Sequence, residues 1–479
     1  MGPPILQIAN GGTMARIRYW ADIEKLKAAG ELSPTEQKLI DHCKAGTLCA
    51  LGDGTRPDVA TPDTTISADL LRYLILGGCE ECKVDELGVR LQGGYIDGLL
   101  DLSFAKAKGQ TYLANCHFCH KIEAEKARFQ RLQLSGSKVP GLNAQSAKVQ
   151  GGLFLNHRFQ ATGIVSLAGA KVGGQLECSR GEFDGGEIPL AHGCKARGVS
   201  LNAQNVSVTG HVFLNGNFRA TGTVRLAGAK IGGQLDCSGG QFDGGETTYP
   251  DGSKASGEAL NVDSAEVTGG VFLNGNFRAK GMVRLAGAKI GGALECSGGQ
   301  FDGGETTSAD GKKTRSDALN AERAEVSGAV FLKDNFRATG LVRLAHMKIG
   351  VALECGGGQF DGCEATSADG SKKWGDALNA QALKVAGSVF LTSKFRATGK
   401  VQLAYAVIGT QLVCSGGQFD GGETTSTDGS KSWGGALHAQ GMTVGTLLWT
   451  GVSVSGGSPC LATVSRCGFA AVELPAAAH

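Results

Sequence analysis

Apolar residues recur along most of this chain in pairs two positions apart. One stretch reads Leu201/Ala203, Val206/Val208, Val212/Leu214 and Phe218/Ala220, then Val224/Leu226, Ala229/Ile231, Leu235/Cys237 and Phe242. A spacing of two puts both members of a pair on one side of a short extended strand. Four pairs take 23 residues, from 201 to 223, before the pattern restarts at Val224. Four short strands per turn, with every pair pointing inward, predict an all-β solenoid: a right-handed, four-sided parallel β-helix with coils of about 23 residues. Glycine or small polar residues between pairs supply the corners.

A longer period lies over the short one. Leu155, Leu214, Leu273, Leu332 and Leu391 are 59 apart, as are Phe159, Phe218, Phe277, Phe336 and Phe395. The phrase VRLAGAKIGGQLDCSGGQFDGGE, Val224 to Glu246, returns as VRLAGAKIGGALECSGGQFDGGE, Val283 to Glu305. Each 59-residue unit is therefore two coils, the second carrying an excursion of about 17 residues such as Asp243 to Ala259. Asp251-Gly252, Asp310-Gly311, Asp369-Gly370 and Asp428-Gly429 sit mid-excursion and signal type I′ hairpins. These excursions are expected to stack along one edge.

Residues 89–448 are assigned to the β-helix, opened by Ile96, Leu100 and Leu102. About a dozen coils at ~4.8 Å each predict a rod of roughly 60 Å. Residues 1–88 read as a small α-helical cap. Ser33-Pro34-Thr35-Glu36 predicts a helix start with a capping box, ending at Gly46; a second helix fits Ser67 to about Leu76, stopped by Gly77 and Gly78. Ile23 to Gly30 fits a third, short helix. Residues 449–479 read as an irregular tail.

Composition narrows the function classes. Lys and Arg total 47 against 45 Asp and Glu, a net charge of +2. That balance provides no general pull on nucleic acid and argues against a DNA mimic, which needs a strongly negative surface. No apolar run reaches the length of a transmembrane helix. The opening MGPPILQIANGGTMARIRYW lacks a signal peptide's apolar stretch, so a cytoplasmic location is expected, with the fifteen cysteines as thiols.

Several constellations could carry chemistry. Cys178, Cys237, Cys296, Cys355 and Cys414 form a ladder in the inward slot that a leucine holds in the alternate coil. Consecutive ladder thiols are then two coils, about 9.6 Å, apart, too far for disulfides; core packing is expected. Cys116-His117-Phe118-Cys119-His120 matches the CxxCH haem-attachment pattern, and Cys79 and Cys82 precede it, so Cys79, Cys82, Cys116 and Cys119 are zinc candidates. Against both, strand alternation points Cys116 inward and Cys119 outward. Asp184/Glu187 and its repeats in the frame FDGxE read as a calcium ladder or as turn chemistry at each excursion's root. GxSxG, HExxH and GxxxxGK[ST] are absent, and no cofactor is expected.

Outward positions are also laddered. Phe213, Phe272, Phe331 and Phe390 alternate with acids, and Arg219, Arg278, Arg337 and Arg396 line a neighbouring face. Arg225, Arg284 and Arg343 form another row, and Lys230, Lys289 and Lys348 a third. A regular outward phenylalanine row either meets a partner or lies under the excursions or a flanking segment. The basic rows either bind a polyanion or are solvated beside their acidic neighbours.

The paired pattern at steps near five residues resembles pentapeptide-repeat proteins. LSPTEQKLIDHCKAGTLCALGDG, GVRLQGGYIDGLLDL (Gly88 to Leu102) and the recurring VRLAGAKIGGQLDC resemble a family of bacterial solenoid proteins often labelled "membrane-associated oxidoreductase", over about residues 31–448. That resemblance implies a β-solenoid, a redox activity and peripheral membrane association; it places no catalytic residue on this chain. Three functions follow as expectations: a non-catalytic scaffold that meets a protein partner or self-associates, the oxidoreductase of the family label, and a gyrase-binding DNA mimic.

Overall fold

The computed structural model describes residues 17–190, 193–426, 428–456 and 468–472. It is a parallel β-solenoid with three helices at its N-terminal end: α1 (Trp20–Ala28), α2 (Pro34–Ala45) and α3 (Ala68–Ile75). α2 starts where the Ser33 side chain accepts from the Glu36 amide and the Glu36 carboxylate accepts from the Ser33 amide, each at 3.1 Å. It stops at Gly46 in the left-handed region. Leu39, Ile40, Leu70, Leu71 and Leu74 are buried as these helices close over the first coils.

Each coil has four strands on four faces. In one coil these are Val199–Asn202, Ser207–Val208, Val212–Phe213 and Arg219–Thr221; in the next, Thr223–Arg225, Lys230–Ile231, Leu235–Asp236 and Gln241–Asp243. Leu201 pairs with Val224 and Val224 with Leu260, so coils of 23 and 36 residues alternate. The first face is a twelve-stranded sheet and the fourth a fifteen-stranded one. The second and third merge into one sheet because the strands Val407–Val413 and Thr443–Trp449 run unbroken past the corner between them. Every inward residue named from the 201–242 stretch is buried.

The solenoid extends beyond both predicted ends. Cys49–Ala50 pairs with Gly88–Gln92, and Thr65–Ser67 with Tyr95–Asp97, so the ladders begin inside the segment read as a helical cap. Strands of two or three residues carry too little alternation to be recognised alone. At the other end, Ser453–Ser455 pairs with Gln418–Asp420 and Gly468–Val472 with Thr443–Trp449, inside the segment read as irregular. Fifteen strands on the fourth face at ~4.8 Å per step make a rod of about 65–70 Å rather than 60. The remaining tail residues and residues 1–16, which hold most of the opening read for a signal peptide, lie outside the described residues.

The excursions are hairpins, and they build a fourth sheet. Glu246–Thr248 pairs antiparallel with Lys254–Ser256, and Lys254 pairs onward with Thr307 of the next hairpin. Ten strands join this way. The fit is metric: hairpins recur every two coils, and each supplies two strands, so hairpin and coil spacings match at ~4.8 Å per strand. The turn differs from the expected type I′. The Gly252 amide donates to the Tyr249 carbonyl and the Tyr249 amide to the Ser253 carbonyl, enclosing three loop residues. Among these only Gly252 has positive φ (82°), which fits a type I turn closed by a glycine bulge. Asp251 holds it by accepting from the Ser253 amide at 2.9 Å.

A column of aromatic rings runs through the core. Phe159, Phe183, Phe218, Phe242 and their repeats follow ring to ring at centroid distances of 5.0–5.3 Å, ending on Trp449 at 5.6 Å. Register explains the alternation. Arg219 pairs with Gln241 and Ala220 with Phe242; one coil therefore has Phe218 at the corner and Ala220 on the face, while the next has Gly240 at the corner and Phe242 on the face. The phenyl of the second coil leans back over its corner: a Cβ on Gly240 would lie 2.7 Å from Phe242 Cε2. Large and small residues thus exchange places at each step, and every pair adds ~0.5–1.5 kcal/mol beyond its buried area.

Two stability changes follow. Phe301→Ala, in the middle of the column, is expected to cost about 3–5 kcal/mol, read as a lower denaturation midpoint by circular dichroism. His346 occupies a left-handed corner (φ 58°) that Gly287 fills one unit earlier. His346→Gly is expected to raise stability by ~1 kcal/mol, measured the same way.

Candidate functional site: a polar groove along the fourth face

The residues that looked most chemical are dispersed or buried. The five ladder cysteines have 0% exposure; Cys178, Cys237, Cys296 and Cys355 lie between leucines, and Cys414 between Leu391 and Trp449. Burial, with neighbouring acids such as Glu177, Asp236 and Glu295, holds the Cys178, Cys237 and Cys296 thiols well above their ordinary value. Cys355 and Cys414 are raised by burial too.

The zinc candidates do not converge. Cys116 points inward, is pushed up to about 12 by burial, and donates to the Ala114 carbonyl at 3.3 Å. Cys119 points outward, 3.0 Å from His120 Nδ1, and accepts from the Gly98 amide at 3.2 Å. Cys79 donates to Glu81 at 2.8 Å, while Cys82 is buried. Among the described residues, no three Cys, His, Asp or Glu side chains group as a metal site. A CxxC pair on one short strand splits between inside and outside, which is why its spacing misleads here.

The FDGxE carboxylates have local work. Asp184, Asp243, Asp302 and Asp420 each accept from the amide two residues on, at 2.9–3.0 Å. The glutamates meet lysines across the hairpin: Glu305 with Lys313 at 2.8 Å, Glu364 with Lys372 at 2.8 Å and Glu423 with Lys431 at 2.6 Å. This is turn and cross-strand chemistry.

Phe213, Phe272, Phe331 and Phe390 lie on the third face and are half-buried. Their rings rest on the surface: Phe213 stacks on His211 at 5.5 Å, and the Lys333 ammonium sits 4.8 Å from the Phe331 ring centre. The excursions do not cover them. The hairpins leave the solenoid between the fourth and first faces, separated from the phenylalanine row by the width of the fourth face.

The arginine row carries fewer ion pairs than the other basic rows, in which only Arg225 and Lys289 have no carboxylate partner among the described residues. Arg284 is held by Asp263 and Glu258, Arg343 by Asp317, Lys230 by Glu266 and Lys348 by Glu325. On the fourth face Arg337 reaches Asp361 at 3.4 Å. Arg219, Arg278 and Arg396 are exposed and have no carboxylate partner among the described residues. Glutamines alternate with them: Gln241 pairs with Arg219 and Arg278, and Gln300 with Arg278 and Arg337. A second outward row beside it runs Thr221, Asp243, Lys280, Asp302, Thr339, Asp361.

The hairpin sheet rises next to that second row as a wall. Arg197 and Arg315 reach from it to Asp184 and Asp302, each at 3.0 Å. Trp374 and Trp433 hold the same position in later hairpins, and Trp433 is 50% exposed. An open groove of about 570 Å³, lined by the fourth face itself, runs across the coils of Arg219 to Arg337, and floor and wall meet in an adjoining hollow between Arg197 and Lys280. The sequence signals the arginines. The wall residues also recur at 59 residues, but their side of the hairpin cannot be read without the hairpin register.

No family model matches the chain, and neither a curated protein nor a solved structure matches it. No helix among the described residues is long and apolar enough to cross a membrane.

The buried thiols give a reactivity and a pH outcome. Ladder cysteines are expected to resist a thiol reagent in the native protein and to react after denaturation, as read by mass spectrometry. A thiol raised on folding supports the fold while protonated. The sign is therefore a contribution intact below the ordinary thiol value of 9.0 and lost as pH climbs above it; the melting temperature should fall above about pH 9.

Proposed function

We propose that the protein is a rigid, non-catalytic binding scaffold that presents the laddered fourth face and its hairpin wall to a partner. The observation that carries this reading is the repetition of one outward pattern, Arg, Gln, Asp and a hairpin wall, over successive 59-residue units. A catalytic centre needs one constellation; a repeated surface suits an elongated or multivalent partner, whose weak contacts add along its length.

Stacking supports the rigidity. Short strands locked by neighbours above and below leave little room for the wall to move relative to the floor. The unpaired arginines support the choice of face, because exposed cations without carboxylates keep their guanidinium donors free for a ligand. Pairing of one solenoid to another at the first hairpin edge is disfavoured. Pro189 stands where Thr248 and Thr307 accept the neighbouring hairpin, and proline has no amide to donate.

The test compares the full chain with Arg219→Gln/Arg278→Gln/Arg396→Gln, both immobilised and exposed to lysate of the native cell. Material retained by the first and lost by the second is the expected result. Equal retention by both proteins, or turnover by a chromophore-bearing purified sample, overturns the reading.

A further inference from the structure

We propose that the groove along the fourth face, beside the hairpin wall, binds a linear acidic glycan whose carboxylates recur on every second sugar ring. The inference rests on the scaffold reading and names the ligand class of the same surface.

The first argument is the spacing of the cations. Arg219, Arg278, Arg337 and Arg396 occupy every second strand of the fourth face, with Gln241, Gln300 and Gln359 between them. With coils ~4.8 Å apart, guanidiniums recur at about 9.6 Å and an uncharged amide stands halfway. An extended peptide advances ~3.4 Å per residue and one DNA strand places a phosphate every ~3.4 Å; neither keeps step with that row. A β-linked pyranose chain advances by close to one coil step per ring. An alternating acidic and neutral glycan then sets each carboxylate at an arginine and each neutral ring at a glutamine. Arginine suits a carboxylate because its planar fork donates two parallel bonds.

The second argument is the acidic row beside the arginines. Asp243, Asp302 and Asp361 each bind local groups through one or more contacts, yet remain only half-buried on the groove floor. An anionic polymer without hydroxyls would meet repulsion there. A glycan offers hydroxyl donors along the whole chain, so carboxylates, threonines and glutamines on the floor can accept from it. The lining is polar with few free cations: Arg219 and Arg278 lack carboxylate partners among the described residues, whereas Lys280 reaches Glu246 at 3.5 Å and Asp302 is held by Arg315 of the hairpin at 3.0 Å.

The third argument is the wall. Trp374 packs over Gly422, where an added Cβ would lie 2.4 Å from the indole Cγ, and Trp433 repeats its position with 50% exposure. Both indoles stand further along the rod than the groove of Arg219 to Arg337, in the hairpins that follow Asp361 and Asp420; there a flat aromatic side chain gives the apolar face of a sugar ring of a continuing chain a surface to rest on. The groove is open along the rod rather than enclosed, as a polymer that continues past both ends of its site requires.

The experiment is calorimetric titration of the full chain, at physiological salt, with a ten-ring oligosaccharide of alternating glucuronate and N-acetylglucosamine. Comparison titrations use uncharged cellohexaose, poly-L-glutamate and a single-stranded oligonucleotide. Binding is expected for the acidic glycan alone. Arg219→Gln/Arg278→Gln/Arg396→Gln should weaken it at least tenfold, and Lys230→Gln/Lys289→Gln on the second face should leave it unchanged. No binding of the glycan, or equal binding of poly-L-glutamate or the oligonucleotide, overturns the proposal. If the arginine variant loses a lysate component that the full chain retains while no glycan binds, the glycan inference fails and the scaffold reading stands. If glycan binding survives the arginine variant, both the site and this inference are wrong.

Discussion

Parallel strands stack ~4.8 Å apart because that is the distance at which amide and carbonyl meet, and the rest of this molecule is arranged around that length. It sets the rise of each coil. It also requires whatever projects from the coils to recur at a multiple of the same step. A hairpin on every coil would crowd two strands into one strand's space. A hairpin on every second coil gives two strands for two steps, and the ten-stranded outer sheet closes without gaps. The alternation of 23- and 36-residue coils is thus a packing requirement more than an accident of duplication.

The interior follows the same two-coil period by another route. A column of phenyl rings directly above one another would stack face to face, the arrangement that aromatic pairs avoid in favour of offset or tilted contacts. Moving the ring from corner to face in alternate coils lengthens the centroid path to just above 5 Å and tilts neighbours by about 40°. Ala220 and Gly240 are the counterparts that make room. The cysteine ladder belongs here as well: Cys237 fills the inward slot between Leu214 and Leu273, where its small, polarizable side chain packs without needing a partner.

Outside, the period becomes a pattern of charge. Most basic rows are neutralised by acids in adjacent coils, as Arg284 is by Asp263 and Glu258. The fourth face departs from this. Its arginines alternate with glutamine, and the acids lie one row over, shared with the hairpin arginines Arg197 and Arg315. Cations without carboxylates, a hydrogen-bonding floor and a wall therefore coincide on one side of the rod. The third face, with phenylalanines laid flat against His211 or beneath Lys333, offers less contiguous apolar surface than its sequence suggested.

Pairs two apart fixed the inward residues, and the period of 59 fixed the two-coil unit, because alternation and repetition are properties of the chain itself. Asp-Gly marked the hairpins, although the turn closed as a three-residue loop, since only Gly252 takes positive φ. The ladders' true ends escaped the pattern: Cys49–Ala50 and Ser453–Ser455 are strands only because a longer stack accepts them. The groove was half legible. Its arginine row could be counted along the sequence, but its wall could not, because the side of a hairpin strand that faces the floor depends on how that hairpin pairs and where it leaves the coil. Local alternation decides which side chains point out; only the stacked, three-dimensional register decides which of them face one another.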